Sequence, residues 1–226
     1  MALVDLAAAS TREFFIAEGS GCVLWLLREA CPLTFNDRVI EFVREVMAVD
    51  PKYKRSKQVH GTIQAGVYHV GKAFHYRNHH FYETPVPPLF DELRAYAERA
   101  TQTAFDTVLF KVFRPGESLA KHQDVDGSDM SVACFTFASD TSQLCRLVWY
   151  WGEKSYTTER FAFTPEACSM WFMSGSTNRL YSHRVLPAEG AIPGGLRVSV
   201  TFRQSDRLRS GGPVHKEDPV THDLQR

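Results

Sequence analysis

Two kinds of hydrophobic spacing divide the chain near residue 105. In the first half, Val39, Ile40, Phe42, Val43, Val46 and Met47 recur with helical spacing. They predict a helix running to about Val49, with Asn36 as its N-cap. Pro87 and Pro88 are placed to open a second helix, with Leu89, Phe90, Leu93 and Tyr96 on its buried face. From residue 107 onward the pattern shortens to β-like runs: Val108–Phe113, Val132–Phe137, Leu144–Tyr150, Thr158–Phe163, Ser169–Met173 and Arg197–Phe202. Turn residues punctuate them, at Arg114-Pro115-Gly116, Asp126-Gly127, Gly152, Pro165 and Pro193-Gly194-Gly195. Many short strands behind a helical stretch imply an α+β fold. The architecture expected is a double-stranded β-helix, or jelly roll, with the helices of the N-terminal half packed on one face. The divisions expected are a helical extension over 1–57, a connecting segment and supporting helix over 58–104, the jelly-roll core over 105–205 and a polar, disordered tail over 206–226.

Composition narrows the partners. Lys and Arg total 26 against 26 Asp and Glu, so no net charge draws the chain to a polyanion. A nucleic-acid contact has to come from a local patch. The densest is Lys52, Lys54, Arg55 and Lys57, followed by an aromatic, histidine-rich stretch from Tyr68 to Tyr82. The five cysteines, Cys22, Cys31, Cys134, Cys145 and Cys168, form no C-x-x-C pair and read as reduced thiols. No apolar run reaches membrane-spanning length, and the start MALVDLAAASTREFF lacks a basic region followed by an apolar stretch. An intracellular location, cytoplasmic or nuclear and away from the membrane, is therefore expected.

Chemistry enters with His122-Gln123-Asp124, which follows the Pro115-Gly116 turn. On a strand, positions i and i+2 point the same way, so imidazole and carboxylate can reach one ion. They supply two ligands of a facial triad, an arrangement that leaves positions open for O2 and a chelating co-substrate. His183, after a turn-rich stretch and ahead of the last strand, is the candidate third ligand. Alone, an H-x-D tripeptide is weak. With nine His and 26 acidic residues, about one is expected by chance, and a surface histidine is its commoner meaning.

The segment Arg197-Val198-Ser199-Val200-Thr201-Phe202-Arg203 changes the balance. Strand alternation puts Arg197, Ser199, Thr201 and Arg203 on one face and the apolar residues on the other. The arginines are then about 20 Å apart at ~3.3 Å per residue. Side chains reaching toward each other leave a gap near the length of a five-carbon dicarboxylate, and a guanidinium fork binds carboxylate through two parallel charge-assisted bonds. A pair of surface arginines on a half-exposed strand is the other reading. The order H-x-D, His183, Arg197 is that of a site closed across the two sheets of a jelly roll.

These stretches resemble the AlkB family of Fe(II)/2-oxoglutarate dioxygenases. The likeness is carried by RPGESLAKHQDVD from Arg114 to Asp126, by the segment from Ser176 to His183, and by Arg197 to Arg203 with its T-F-R ending. It covers about residues 105–205. The resemblance implies Fe(II) held by His122, Asp124 and His183, with 2-oxoglutarate and O2 as co-substrates. It implies that Arg197 holds the distal carboxylate of 2-oxoglutarate. Arg203 would sit near the metal-chelating end and brace Asp124, and Asp126 would help to recognise a damaged base. The implied activity is oxidative demethylation of N-alkylated bases in DNA or RNA, in which 2-oxoglutarate becomes succinate and a hydroxylated N-methyl group departs as formaldehyde. Family members commonly carry an Asn and a Tyr ahead of the Pro-Gly turn. Here Lys111 and Phe113 stand there, and Ser199 stands where an Asn is frequent. Phe113 cannot donate the phenolic hydrogen bond, so Lys111 and Ser199 are counted with the co-substrate site.

The resemblance also makes residues 58–86 a nucleotide-recognition lid, with His75 and Tyr76 as candidate base contacts. Aromatic faces can stack on a flipped-out base, and Lys72 and Arg77 can meet phosphates. The same alternation describes an amphipathic hairpin packed on the core. Besides nucleic-acid demethylation, hydroxylation of a protein or small molecule by the same iron chemistry stays open. So does a catalytically silent jelly-roll binding module.

Overall fold

The computed structural model describes residues 12–16, 21–49, 57–59, 62–64, 66–76, 79–124, 129–151 and 158–204. Asp126 and the tail over 206–226 lie outside these residues. In chain order the elements begin with β1 (Arg12–Ile16), β2 (Leu24–Leu27), α1 (Thr34–Val49), β3 (Lys57–Val59), β4 (Thr62–Gln64), β5 (Gly66–Gly71), β6 (Phe74–Tyr76), β7 (His79–Phe81) and α2 (Pro88–Thr101). They continue with β8 (Thr107–Phe113), β9 (Leu119–His122), β10 (Val132–Ala138), β11 (Leu147–Trp151), β12 (Glu159–Phe163), β13 (Met170–Met173), α3 (Gly175–Leu180), β14 (Tyr181–Val185) and β15 (Arg197–Arg203).

A major sheet in the order β1-β2-β13-β10-β15-β8-β5 faces a minor sheet in the order β12-β11-β14-β9, and every pairing is antiparallel. The hairpins β3-β4 and β6-β7 form separate two-stranded sheets. Two helices cover the outer face of the major sheet. Val39, Ile40 and Val43 of α1, with Phe90, Leu93 and Ala97 of α2, pack into one core with Phe110, Val198, Val200 and Phe202. A second core lies between the sheets, built from Leu24, Leu26, Leu147, Trp149, Trp171 and Met173. The fold is the expected α+β jelly roll with helices on one face.

The major sheet is therefore the middle of three layers, which explains the uninterrupted apolar runs of its central strands. Strands buried on both faces lose the alternation that marks a half-exposed sheet. β15 is the exception that positions the site. Its apolar residues face the helices, while Arg197, Ser199, Thr201 and Arg203 face the minor sheet, and all four are buried.

Several local expectations meet a different structure. α1 begins at Thr34, so Asn36 lies inside the first turn and is not the N-cap. Its amide instead clamps the end of β10: Nδ2 donates to the Ala138 carbonyl and Oδ1 accepts from the Ala138 N–H, both at 3.0 Å. α2 opens at Pro88 as expected. β11 starts at Leu147 because Thr141–Gln143 form a 3₁₀ turn, capped by the Asp140 carboxylate accepting from the Ser142 N–H at 2.8 Å. Within 1–57, read as a helical extension, β1 and β2 extend the major sheet.

Candidate metal and co-substrate site

His122 and His183 are cross-strand partners on β9 and β14, with ring centroids 4.3 Å apart. Asp124 joins them by a route the i, i+2 argument did not foresee. β9 ends at His122, and Asp124 lies in the turn beyond it. What holds the turn is Asn178 of α3, whose Oδ1 accepts from the Asp124 N–H at 2.9 Å and whose Nδ2 donates to the Asp124 carbonyl at 2.7 Å. α3 is itself anchored on β2's approach: Val23 N–H donates to Thr177 Oγ1 at 2.8 Å, and Thr177 Oγ1 donates to the Val23 carbonyl at 2.9 Å. At Gly175 a Cβ would stand only 2.0 Å from the Asp129 carbonyl oxygen, so the chain returning from the Asp124 loop requires glycine there.

The donor atoms of His122, Asp124 and His183 lie within 4.8 Å of one another. Each is turned toward that shared point for a separate reason. His122 Nδ1 donates to the Ala120 carbonyl at 2.8 Å, which leaves the Nε2 lone pair free; Nε2 is buried and has no protein partner. His183 stacks on Trp149 (4.5 Å, 25°) and meets Trp171 edge-on (5.7 Å, 69°), which fixes its ring, and its Nε2 lies 3.8 Å from Asp124 Oδ2. Arg203 donates from Nη2 to Asp124 Oδ1, orienting the carboxylate. Two imidazoles and one carboxylate with an orphaned buried nitrogen among them fit a divalent ion with open positions.

The electrostatics keep these groups ready for a cation. Burial would raise the Asp124 carboxyl, but Arg203, His183, His122 and Lys111 together outweigh it and hold the group well below the usual carboxylate range. Burial pushes His183 down to about 4, and burial with His183 and Lys111 nearby pushes His122 well below its ordinary value. Both rings are therefore neutral at pH 7, as metal ligation requires.

The triad opens into a cavity that is also lined by Lys111, Phe113, Ser199, Arg197 and Arg203. Arg197 is 1% exposed, which decides its character. Its guanidinium lies 4.8 Å over the Phe113 ring, and Nη2 reaches Thr136 Oγ1 at 3.4 Å. Nε and Nη1 are buried without a partner. A buried guanidinium with two unused donors is unfavourable unless an anion completes it. Lys111 and Ser199 are cross-strand partners on the same wall. Burial is the main influence that brings Lys111 down to about 8; the Asp124 and Cys134 beside it raise the group and Arg203 and Arg197 lower it.

The structure thus gathers His122, Asp124, His183, Lys111, Ser199, Arg197 and Arg203 around one cavity. Asp126 is outside the described residues. Of His75 and Tyr76 the backbone alone is described, in β6 paired with β7. Sequence reasoning passed over Asn178, Thr136, Trp149 and Trp171. Asn178 lies within the Ser176–His183 segment that carried the resemblance, which was its one visible signal.

A family model for the 2OG-Fe(II) oxygenase superfamily matches residues 35–203. The chain belongs to that superfamily. Its cofactors are Fe(II), 2-oxoglutarate and O2. Two solved structures, NgTET1 and OsALKBH1, share the fold of this oxygenase. NgTET1 in complex with 5mC DNA superposes with TM-score 0.57 and 12% identity, over 88% of this chain and 78% of its own. OsALKBH1 gives TM-score 0.57 and 15% identity, over 80% and 97%. A Pseudomonas putida prolyl-4-hydroxylase gives 0.48 and 14%, over 80% and 92%. Comparison with curated proteins gives no match. Among the described residues, no helix is long and apolar enough to cross a membrane.

Proposed function

We propose that this oxygenase is AlkB-like and oxidatively demethylates N-alkylated bases in DNA or RNA. The observation that carries the site assignment is the buried Arg197 guanidinium, with two unused donors in the cavity that also holds the His-Asp-His cluster. In this reading His122, Asp124 and His183 hold Fe(II), and Arg197 receives the distal carboxylate of 2-oxoglutarate. Arg203 keeps Asp124 ionised and aimed. Lys111 and Ser199 line the co-substrate's flank. When bound, the ion and 2-oxoglutarate supply the oxidising power that hydroxylates a C–H bond with O2. The chain's own part is to orient the co-substrate and to keep water out. Trp171, Leu147 and Val185 line the cavity with apolar surface, and Trp149 packs behind His183.

The nucleic-acid part rests on the AlkB-like segments around His122, His183 and Arg197, and on the hairpins β3-β4 and β6-β7. These stand outside both main sheets in the region read as a recognition lid, where His75 and Tyr76 are proposed base contacts; Asp126, beyond the His122-Gln123-Asp124 segment, is proposed as a third. NgTET1, held with 5mC DNA, and OsALKBH1 share the fold. The test is anaerobic binding of Fe(II) and 2-oxoglutarate, followed by oxygen exposure with and without an N-methylated oligonucleotide. Succinate that rises with the oligonucleotide, together with formaldehyde, is the expected result. Succinate without stimulation removes nucleic acid as the substrate and points to a protein or small molecule. Metal binding without succinate removes the enzymatic reading.

A further inference from the structure

The cavity wall is a grid of cross-strand neighbours. Trp171 of β13 pairs with Cys134 of β10, and Cys134 pairs with Thr201 of β15. Along β15, Thr201 is two residues from Arg203 and four from Arg197, or about 7 Å and 13 Å at ~3.3 Å per residue. Trp171 therefore stands at the triad end of the cavity and not at the Arg197 end. Its edge-on contact with His183, at 5.7 Å, agrees.

The indole N–H is a donor with no alternative role, and buried donors in folded proteins find acceptors. Trp171 Nε1 is buried and has no hydrogen-bond partner. Trp149 Nε1 is also without one, but Trp149 packs behind His183 and does not line the cavity, whereas Trp171 does. At this end Lys111 and the partnerless Arg203 Nε are the charged donors, and several other polar atoms are already engaged. Arg203 Nη2 serves Asp124, Thr201 Oγ1 donates to Cys134 Sγ at 3.4 Å, and His122 Nδ1 serves Ala120. Phe113 brings no polar atom to the wall.

The geometry points to Trp171 as the hydrogen-bond donor to the metal-end oxygens of the bound 2-oxo dicarboxylate, a contact supplied from β13. It rests on the reading of the cavity given under Proposed function. The two ends of the co-substrate are then held by different means. A charged fork from Arg197 takes the distal carboxylate, and a neutral, rigid donor from Trp171 takes the end that must also face the ion. A neutral donor there orients an oxygen without adding a cation beside Arg203, Lys111 and the metal.

The test uses ¹⁵N-labelled, Zn(II)-loaded protein without oxygen, since Zn(II) accepts imidazole and carboxylate ligands and is diamagnetic. The chain has four tryptophans, hence four indole N–H signals. The Trp171 signal, assigned by its loss in Trp171→Phe, is expected to move downfield when 2-oxoglutarate is added, while that of Trp25, on the helix side of the sheet, stays. Trp171→Phe, which keeps a ring against His183, is expected to weaken 2-oxoglutarate binding about tenfold, the factor appropriate to one hydrogen bond to a charged group. If that variant does not fold, Trp25→Phe, Trp149→Phe and Trp151→Phe assign the signal by elimination. A stationary Trp171 signal with 2-oxoglutarate bound, or unchanged affinity in Trp171→Phe, overturns the assignment and leaves the proposed function standing. Failure of the unaltered protein to bind 2-oxoglutarate overturns both.

Discussion

Asn178 holds Asp124 by its backbone and not by its carboxylate, accepting from the N–H at 2.9 Å and donating to the carbonyl at 2.7 Å. The carboxylate is thereby left for Arg203 on one oxygen and for the shared point with His183 on the other. A turn beyond the end of a strand gains the precision of the strand through one buried amide. Asn178→Ala is expected to lower metal affinity by about 10–100-fold, the usual consequence of losing a group that orients a ligand. Calorimetric titration with Zn(II) measures it, and unchanged affinity would show that the turn holds itself.

Asp124 and His122 should differ in what their loss does to folding. Asp124→Ala leaves the Arg203 guanidinium buried and uncompensated, a change that costs about 3 kcal/mol or more. His122→Ala removes a ring from the edge of the site and unpairs no charge. Both variants should lose succinate formation. Urea unfolding in the presence of chelator separates them, and equal stabilities would contradict the role given to Arg203.

Acid should destabilise the metal-free protein in a defined window. His183 is lowered in the folded state to about 4, from an ordinary value of 6.5. The unfolded chain therefore binds the proton first as pH falls. The stabilisation is fully present above about pH 6.5 and is lost progressively down to about 4, amounting to roughly 3 kcal/mol. Asp124, held low in the fold, adds a further loss below its own unfolded value. In chelator-treated protein, Tm should fall between pH 6.5 and 4, and His183→Gln should flatten that slope. A slope unaffected by His183→Gln would mean that other groups set it.

Arg197→Lys is expected to raise the KM for 2-oxoglutarate more than about tenfold and to leave metal binding unchanged. An ammonium keeps the charge but not the planar fork that meets both carboxylate oxygens. Thr136, which accepts from Arg197 Nη2, should show a smaller effect of the same kind in Thr136→Val. Steady-state kinetics with 2-oxoglutarate varied decide the matter. An unchanged KM in Arg197→Lys would take Arg197 out of the co-substrate site.

Local pattern carried the helices and most strands of the second half because each reflects a period set by its own backbone. It misplaced the ends where a side chain bonds to a distant segment. Asn36 looks like a cap in sequence, yet Ala138 claims its amide. Leu144 looks like strand, yet a capped 3₁₀ turn delays β11 to Leu147. β2 passed unnoticed because Leu24–Leu27 is four residues, buried throughout, and without alternation.

The sequence by itself determined which residues could do the chemistry and in what order they come. His122, Asp124, His183, Arg197 and Arg203 were legible because the H-x-D spacing, the histidine ahead of the last strand and the two arginines six residues apart come in the order that the resemblance implies. The alternation of β15 also announced a polar face. Tertiary structure alone decided how those groups meet. It set β9 beside β14 so that two histidines become neighbours, brought Asn178 to the turn that Asp124 occupies, and left Arg197 buried with donors unused. Sequence periodicity tells which way a side chain points from its own strand. Which partner it meets depends on sheet pairing across long separations, and that is settled only when the two sheets close.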